Sequence, residues 1–287
     1  MNYRRRASPL HAARASVGCA YCVALACAAL LLSSPVALGA VVVSIIGAGV
    51  AAGLGPEMRR AAPLAVSLAI VIALINALVT RNGLTVIVRL GDLPVLGHTD
   101  VTLEATVYGA ILGLRAVALI MCGALYTAAV DPDEVLKLFR RISFRSALTA
   151  TLATRMVPVL VRDARRLTDA QRCRPGRPPS RVALMRAATS GVLDRALDVA
   201  AALEVRGYGR PGRPPSGRRP WSRHDLAFAA SAVGVLAVSV AARVLHLMPF
   251  SAYPSLHAPV DVGAVAVAIA IMTCALLPFA DHRGVQR

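Results

Sequence analysis

Two arginines that end predicted helices are the residues of this sequence best placed to do chemistry. Arg174 closes the segment AQRCR and Arg206 closes the segment ALEVR, and in each segment an alanine stands four positions earlier. Residues four apart lie on one face of a helix, where the small alanine allows a partner backbone to come close. A guanidinium carries five N–H donors in a planar fork that fits carboxylates and carbonyls. The pattern predicts an anchor for docking into a groove of another protein.

Polar side chains inside apolar segments are the second candidates for chemistry. Arg115 lies near the middle of the apolar run Val101–Val130, and Asn76 lies in the run Leu64–Val79. Ionisable residues within a bilayer mark functional sites by default, so an intramembrane enzyme built around Arg115 is one alternative. No Glu-Glu, His-x-x-Glu or Gly-x-Ser-x-Gly constellation accompanies them. We therefore favour Arg115 as a structural partner inside a helix bundle or as part of a surface that faces another subunit.

Three further patterns are too weak to carry a site. The sequence has no G-x-x-x-x-G-K-[ST] loop, so this chain is not expected to hydrolyse ATP itself. His257 and Asp261 are four residues apart, but two ligands do not make a metal site. Cys19 and Cys22 have redox spacing in an apolar run without a second pair, so we predict reduced thiols. The sequence thus predicts no catalytic residue, no metal and no cofactor.

The elements that position these residues are predicted from composition. The chain has 287 residues, of which 56% are hydrophobic and 16% are charged, and its formal net charge is +17. Its mean hydropathy is +0.62. A soluble domain of this length carries fewer apolar and more charged residues. The composition therefore predicts a polytopic membrane protein with one basic region exposed to water.

The apolar runs predict an all-α membrane fold with about six transmembrane helices, since one span needs about 20 apolar residues. The run Val17–Leu54 is long enough for two spans, which Ser33-Ser34-Pro35 divides. It resembles a signal peptide at its start, but it stays apolar past Ala40, which favours a retained helical hairpin. The other four runs are Leu64–Val79, Val101–Val130, Leu226–Val244 and Val260–Phe279.

The distribution of arginine predicts the orientation. With six spans, the arginine-rich N-terminal tail, Arg59 and Arg60, the segment 131–224 and the C-terminal tail all fall on one side. The positive-inside rule assigns that side to the cytoplasm, so both termini are predicted to be cytoplasmic in the cell membrane. The segment 131–224 alone carries 19 arginines and one lysine against eight acidic residues. We divide the chain into membrane helices 1–4 over 1–130, a cytoplasmic insert over 131–224 and membrane helices 5–6 over 225–287.

The insert is predicted to contain a pair of long helices. Asp131 followed by proline is a typical helix start. A longer helix is expected from about 146 to 172, with a bend at Pro158, which lacks a backbone donor. The next is expected from 180 to about 206, with Gly207 at its C′ position.

The many arginines of the insert leave another alternative open, a membrane protein whose insert binds lipid or nucleic acid. Arginine can neutralise phosphates, but the aromatic residues of the insert are scattered and form no stacking platform. We favour contacts with anionic lipid head groups and predict no nucleic-acid partner.

The two arginine segments also resemble a known family. DAQRCRPG and AALEVRGYG are similar to the two arginine motifs of the transmembrane coupling component of energy-coupling factor (ECF) ABC importers, which includes the cobalt-transport permeases. VDPDEVLKLFRRI and ATRMVPVLVRDARRLTDAQ resemble the run into the first coupling helix of that family. The resemblance covers most of the chain and is most specific over 131–209. The first motif departs from the family at Cys173 and Pro175, and the second has Val205 in place of alanine.

The resemblance implies a mechanical role without bond chemistry. Two cytoplasmic ABC ATPase subunits would bind the arginine-tipped coupling helices, and a separate substrate-binding membrane subunit would contact this chain. Their joint task would be uptake of a vitamin or a transition-metal ion, with substrate choice left to the separate subunit. The residues implied at the ATPase interface are Ala170, Arg172, Arg174, Ala202, Glu204, Arg206 and Gly207.

Overall fold

The chain forms two compact units in a computed structural model that describes residues 6–79, 86–93, 97–139, 144–173, 181–207, 220–247 and 262–280. The larger unit comprises residues 1–135 and 221–287, and the smaller unit comprises residues 136–220.

Helices dominate the described chain, which confirms the all-α class. The helices are α1 Pro9–Ala12, α2 Ala15–Leu31, α3 Pro35–Ala51, α4 Gly55–Val79, α5 Leu103–Ala129, α6 Pro132–Phe139, α7 Phe144–Arg172, α8 Arg181–Val205, α9 Arg223–Val244 and α10 Val262–Leu276. A 3₁₀ turn over Leu277–Phe279 extends α10. Strands β1 Val86–Leu93 and β2 Gly97–Thr102 pair antiparallel between α4 and α5. This small hairpin is an addition to the helical architecture.

Local sequence accounts for several helix boundaries. Pro35 stands at the first turn of α3, where its missing N–H and fixed φ cost nothing. Gly53 takes a φ of +73° between α3 and α4, a conformation that glycine adopts without strain. Ser222 and Asp225 form a capping box at the start of α9, in which each side chain accepts from the backbone of the other. Pro158 lies inside α7, and the helix continues through it.

The apolar helices of the described chain correspond to the expected spans, but they differ in length. By length and composition, α4, α5, α9 and the extended α10 can cross a bilayer, whereas α2 and α3 are shorter apolar helices. The latter two have 17 residues each and are therefore about 25 Å long, the lower limit for a span. The chain is thus a multi-pass membrane protein with four helices of full spanning length and two short apolar ones.

The larger unit packs around α2, which contacts α9, α5 and α3. Tyr21 of α2 and Phe228 of α9 are fully buried. Together with Phe279 their rings form edge-to-face pairs with centroids 5.1 to 6.3 Å apart, the arrangement that aromatic quadrupoles favour. This cluster joins α2 and α9 to the turn that follows α10.

At the end of α10, side chains of neighbouring helices donate hydrogen bonds to backbone carbonyls of the helix. Pro278 has no N–H to give to the carbonyl of Cys274 four residues earlier. The hydroxyl of Ser231 donates to that carbonyl at 2.7 Å instead. The hydroxyl of Tyr21 donates to the next carbonyl, that of Ala275, at 2.9 Å. Side chains of α9 and α2 therefore replace the backbone donors that α10 lacks.

Glycines allow α4 and α5 to approach backbone to backbone. Gly109 and Gly113 of α5 are four residues apart and face α4. A Cβ atom at Gly109 would lie 2.9 Å from the carbonyl oxygen of Ala73, and one at Gly113 would lie 2.8 Å from that of Ala69. Small residues at this spacing are typical of close helix pairs in membranes. The contact between α4 and α5 depends on the absence of these two side chains.

We expect Gly113→Ala to destabilise the folded protein by about 1–3 kcal/mol, because the new methyl group must displace a backbone carbonyl. Gly123→Ala is the matched control in the same helix, since a Cβ there meets nothing within 4 Å. Alanine should be neutral there or stabilise by up to about 1 kcal/mol. Reversible unfolding in mixed detergent micelles measures both. Equal stability of the two variants would contradict the close approach of α4 and α5.

Candidate functional site

The second arginine motif lies at the end of α8, where the helix stops abruptly. The N–H of Arg206 donates to the carbonyl of Ala202 at 3.2 Å, and the N–H of Gly207 donates to that of Glu204 at 2.9 Å. Gly207 has a φ of +76°, the left-handed conformation that typically ends a helix at C′. The helix therefore ends at Arg206 and Gly207, and Arg206 lies at its tip.

The tip of α8 is exposed. Ala202, Glu204 and Arg206 are all exposed to solvent, and Val205 is 90% exposed. A branched apolar side chain thus stands next to a guanidinium at the end of a helix. Such a pair suits a partner groove that offers both apolar surface and oxygen acceptors.

The first arginine motif is described only up to Cys173. The N–H of Cys173 donates to the carbonyl of Asp169 at 3.2 Å, so the helical hydrogen bonding continues one residue past the end of α7. Ala170 and Arg172 are exposed, and Arg172 Nη1 lies 4.0 Å from Asp169 Oδ1. Arg174 lies outside the described residues, so its placement stays a prediction.

An ion pair joins the two helices that carry these motifs. Arg195 of α8 donates through Nη1 to Oδ2 of Asp163 in α7. Asp163 and Arg195 stand eleven residues before Arg174 and Arg206 respectively, which is about three helical turns in each case. The pair therefore connects α7 and α8 at equivalent positions relative to their arginine motifs.

The ion pair also lowers the pKa of the Asp163 carboxyl group. The hydrogen bond from Arg195 is the main cause that lowers the pKa of Asp163. The positive charges of Arg195, Arg166 and Arg162 add to this effect, and partial loss of hydration opposes it. Asp163 is therefore held ionised to lower pH than an ordinary aspartate.

Arg115, the intramembrane candidate, binds the end of another helix. Its Nε donates to the carbonyl of Ala29 at 3.1 Å, and its Nη2 donates to that of Leu32 at 3.0 Å. These carbonyls belong to the C-terminal turn of α2, where no later N–H of the helix is available. The contacts favour the structural interpretation of Arg115 over the catalytic one.

The other intramembrane candidate stays within its own helix. Asn76 donates through Nδ2 to the carbonyl of Ile72, 2.9 Å away in α4. The structure gives it no hydrogen bond to Arg115 among the described residues. No group of three potential metal-binding side chains occurs within the described part of the chain. His257 and Asp261 lie outside it.

The sequence interpretation missed two sets of polar contacts. One is the pair Asp163–Arg195, whose 32-residue separation gives no local signal. The other is the N-terminal end of α2, where carboxylates of Glu134 and Asp225 accept from backbone amides. Only Asp225 had a local signature, as the fourth residue of the capping box that begins at Ser222.

One comparison with known proteins gives a match. A family model described as CbiQ, cobalt transport protein, matches residues 6–216, which include α1 to α8 and the ion pair between α7 and α8. No curated protein matches the chain.

Replacement of Asp163 should loosen α7 and α8 in a pH-dependent way. Because its pKa is lowered in the folded protein, its contribution is present above the pKa of a free aspartate, about 3.9. That contribution is lost as the pH falls through the lower folded-state value. Asp163→Asn should therefore show faster amide hydrogen exchange in α7 and α8 than the unsubstituted protein at pH 7, and the difference should shrink as the pH falls below about 3.9.

Mass spectrometry of deuterium uptake, corrected for the intrinsic effect of pH, measures this difference. Asp198→Asn is the matched control, because Asp198 is an exposed acid of α8. A difference for Asp163→Asn that persists unchanged at pH 3 would contradict the electrostatic role of Asp163.

Proposed function

The chain belongs to the cobalt transport protein family CbiQ, and on that premise we propose that it is the transmembrane coupling subunit of an ECF-type ABC importer. The family match confirms the resemblance found in the arginine segments. As a member, the chain is a membrane component of cobalt transport, in a family whose members work with ATPase partners. The proposal adds that two cytoplasmic ATPase subunits bind the ends of α7 and α8 and that a separate membrane subunit binds the substrate.

The exposed tip of α8 is the observation that carries this proposal. Arg206 ends the helix, Gly207 takes a left-handed conformation after it, and Val205 is almost wholly accessible. Burying such a residue in a partner removes apolar surface from water, which is favourable by about 25 cal/mol per Å². The adjacent guanidinium supplies directional hydrogen bonds to carboxylates or carbonyls. Together they form an anchor that another protein can grip.

Transmission of motion requires that the anchor distinguish two states of its partner. A ligand shifts a conformational equilibrium only by the difference between its affinities for the two states. Arg206 and its counterpart Arg174 must therefore bind the ATPases differently before and after nucleotide binding. The ion pair Asp163–Arg195 then supports joint movement of α7 and α8.

Contacts within the larger unit support the predicted orientation. Arg6 pairs with Glu57 at 2.6 Å and donates to the carbonyl of Gly53, so the N-terminal segment lies at the turn before Arg59 and Arg60. The proximity of Arg6 to this turn supports a common side for the N-terminal segment and for Arg59 and Arg60, in agreement with the positive-inside rule. We propose that this side is cytoplasmic and that both termini and the insert lie on it, in the cell membrane.

The competing functions have less support. An intramembrane enzyme would need the Arg115 guanidinium to face a substrate, and two of its N–H groups are bound to carbonyls of α2. We assign substrate recognition to the separate membrane subunit. We propose that the transported substrate is cobalt ion or a vitamin. A lipid-binding role of the remaining arginines is compatible with the coupling function.

Purification of the tagged protein from its native membrane tests the proposal directly. Stoichiometric ATPase subunits should remain bound after mild detergent extraction. If no nucleotide-binding subunit accompanies the protein, the coupling function is wrong.

Arg206→Glu should lower the amount of co-purified ATPase by about ten-fold or more, because it replaces charge-assisted hydrogen bonds with repulsion. Transport should fall with it, while membrane insertion stays normal. Arg186→Glu is the matched control, since Arg186 is also an exposed arginine of α8. Normal ATPase binding and transport by Arg206→Glu would show that Arg206 is not the anchor.

Arg174→Glu should act in the same direction with a smaller loss. Pro175 follows it and offers no backbone donor to a partner, so the first anchor should bind through fewer contacts than the second. Quantifying the retained ATPase in both variants compares the two anchors. A larger loss for Arg174→Glu than for Arg206→Glu would contradict this ranking.

A further inference from the structure

The N-terminal end of α2 lies where the chain leaves the larger unit for the insert and where it returns. The chain leaves along α6, which begins at Pro132, and returns through Trp221 into α9. Both connections contact the two residues at the start of α2, Arg14 and Ala15. All these contacts lie within the larger unit, residues 1–135 and 221–287.

The returning chain is held by a buried carboxylate. Asp225 is fully buried. Its Oδ1 accepts from the backbone N–H of Arg14 at 2.7 Å. Its Oδ2 accepts from the backbone N–H of Ser222 at 2.9 Å and lies 3.3 Å from Arg14 Nε. The carboxylate therefore links the start of α9 to the start of α2.

Trp221 adds a second contact to the same arginine. The guanidinium carbon of Arg14 lies 5.3 Å from the centroid of the Trp221 ring, within the range of a cation–π interaction. Arg14 is thus held by its backbone amide, by its charge and by the aromatic ring. Trp221, where the returning chain enters the larger unit, therefore contacts the residue that precedes α2.

The departing chain is held by Glu134. Its Oε2 accepts from the backbone N–H of Ala15 at 3.3 Å, which is one of the orphan amides of α2. Asp131, three residues earlier, caps the start of α6 by accepting from the N–H of Asp133 at 2.9 Å. The negative side chain of Glu134 also complements the positive end of the α2 dipole. The start of α6 is therefore fixed to the start of α2.

We infer that Arg14, Glu134, Trp221 and Asp225 form an insert clamp, a set of positioning residues that makes α2 move with both ends of the insert. This inference rests on the proposed coupling function. The bound amides belong to the N-cap and the first residue of α2, so a displacement of α6 or of the segment before α9 pulls on the start of α2. The far end of α2 is bound by Arg115 of α5, which passes the movement on to the bundle.

Trp221 provides a direct readout because it is the only tryptophan of the chain. Fluorotryptophan incorporated into this subunit alone gives one fluorine resonance from the clamp, even in a complex with unlabelled ATPases. In the natively purified complex in lipid nanodiscs, a non-hydrolysable ATP analogue should change the chemical shift of this resonance. The measurement does not depend on the identity of the cargo.

Glu134→Ala tests whether the two ends of the insert act together. Glu134 is exposed, so its truncation should not prevent folding, and it binds Ala15 rather than Trp221. We expect ATPase co-purification to stay normal while the nucleotide response of Trp221 is lost. Cobalt(II) uptake per ATP hydrolysed should fall by about ten-fold, because a hydrogen bond to a charged acceptor is removed. Glu134→Gln keeps an acceptor oxygen. It should recover most of the nucleotide response of Trp221 and most of the cobalt(II) uptake per ATP hydrolysed.

Asp198→Ala is the matched control, an exposed acid of α8 that lies outside the clamp. Suppose that the fluorine resonance of Trp221 responds to nucleotide in the unsubstituted complex. If Glu134→Ala then leaves both this response and the cobalt(II) uptake per ATP hydrolysed unchanged, the clamp is wrong and the coupling function stands. The absence of any ATPase from the unsubstituted complex would overturn the coupling function, and the clamp with it.

Discussion

The structure depends on one constraint, the need of each helix end inside an apolar bundle to find hydrogen-bond partners for its free backbone groups. In a bilayer no water is available to satisfy them, and each unsatisfied group costs several kcal/mol. The short helix α2 meets this constraint at both ends through side chains of other helices. Glu134 and Asp225 accept from its first amides, and Arg115 donates to its last carbonyls. Because these partners come from α5, α6 and α9, the position of α2 defines the position of its neighbours.

The same constraint explains why polar residues occur inside an apolar protein without forming a reaction centre. Ser231 and Tyr21 donate to the end of α10, and Arg6 donates to the turn after α3. Each of these side chains donates to a backbone carbonyl at or near the end of a helix. These contacts hold the ends of several helices to their neighbours. The end of α8 differs, since the residues of the second arginine motif are exposed there.

Much of the fold was predictable because hydropathy and capping signals are local. Apolar runs located the membrane helices, and Gly207 was correctly expected to end α8. Each predicted run corresponds to an apolar helix of the described chain, although α2 and α3 have only 17 residues each. The close approach of Gly109 and Gly113 to α4 went unnoticed, although their spacing is typical of membrane helix pairs. At the candidate site, the sequence indicated the arginine tips but not the ion pair Asp163–Arg195 that connects the two helices.

By itself, the sequence determined that this is a helical membrane protein with a basic insert, and its arginine segments indicated the family. Those properties follow from composition, periodicity and short motifs, which act over a few residues. Only the tertiary structure decided what the buried polar residues do. Arg115 contacts carbonyls more than eighty residues away, and Asp225 contacts an amide 211 residues away. The physical reason is that a hydrogen bond between distant segments depends on how the whole chain packs, and no local pattern encodes which helix end will lack a partner.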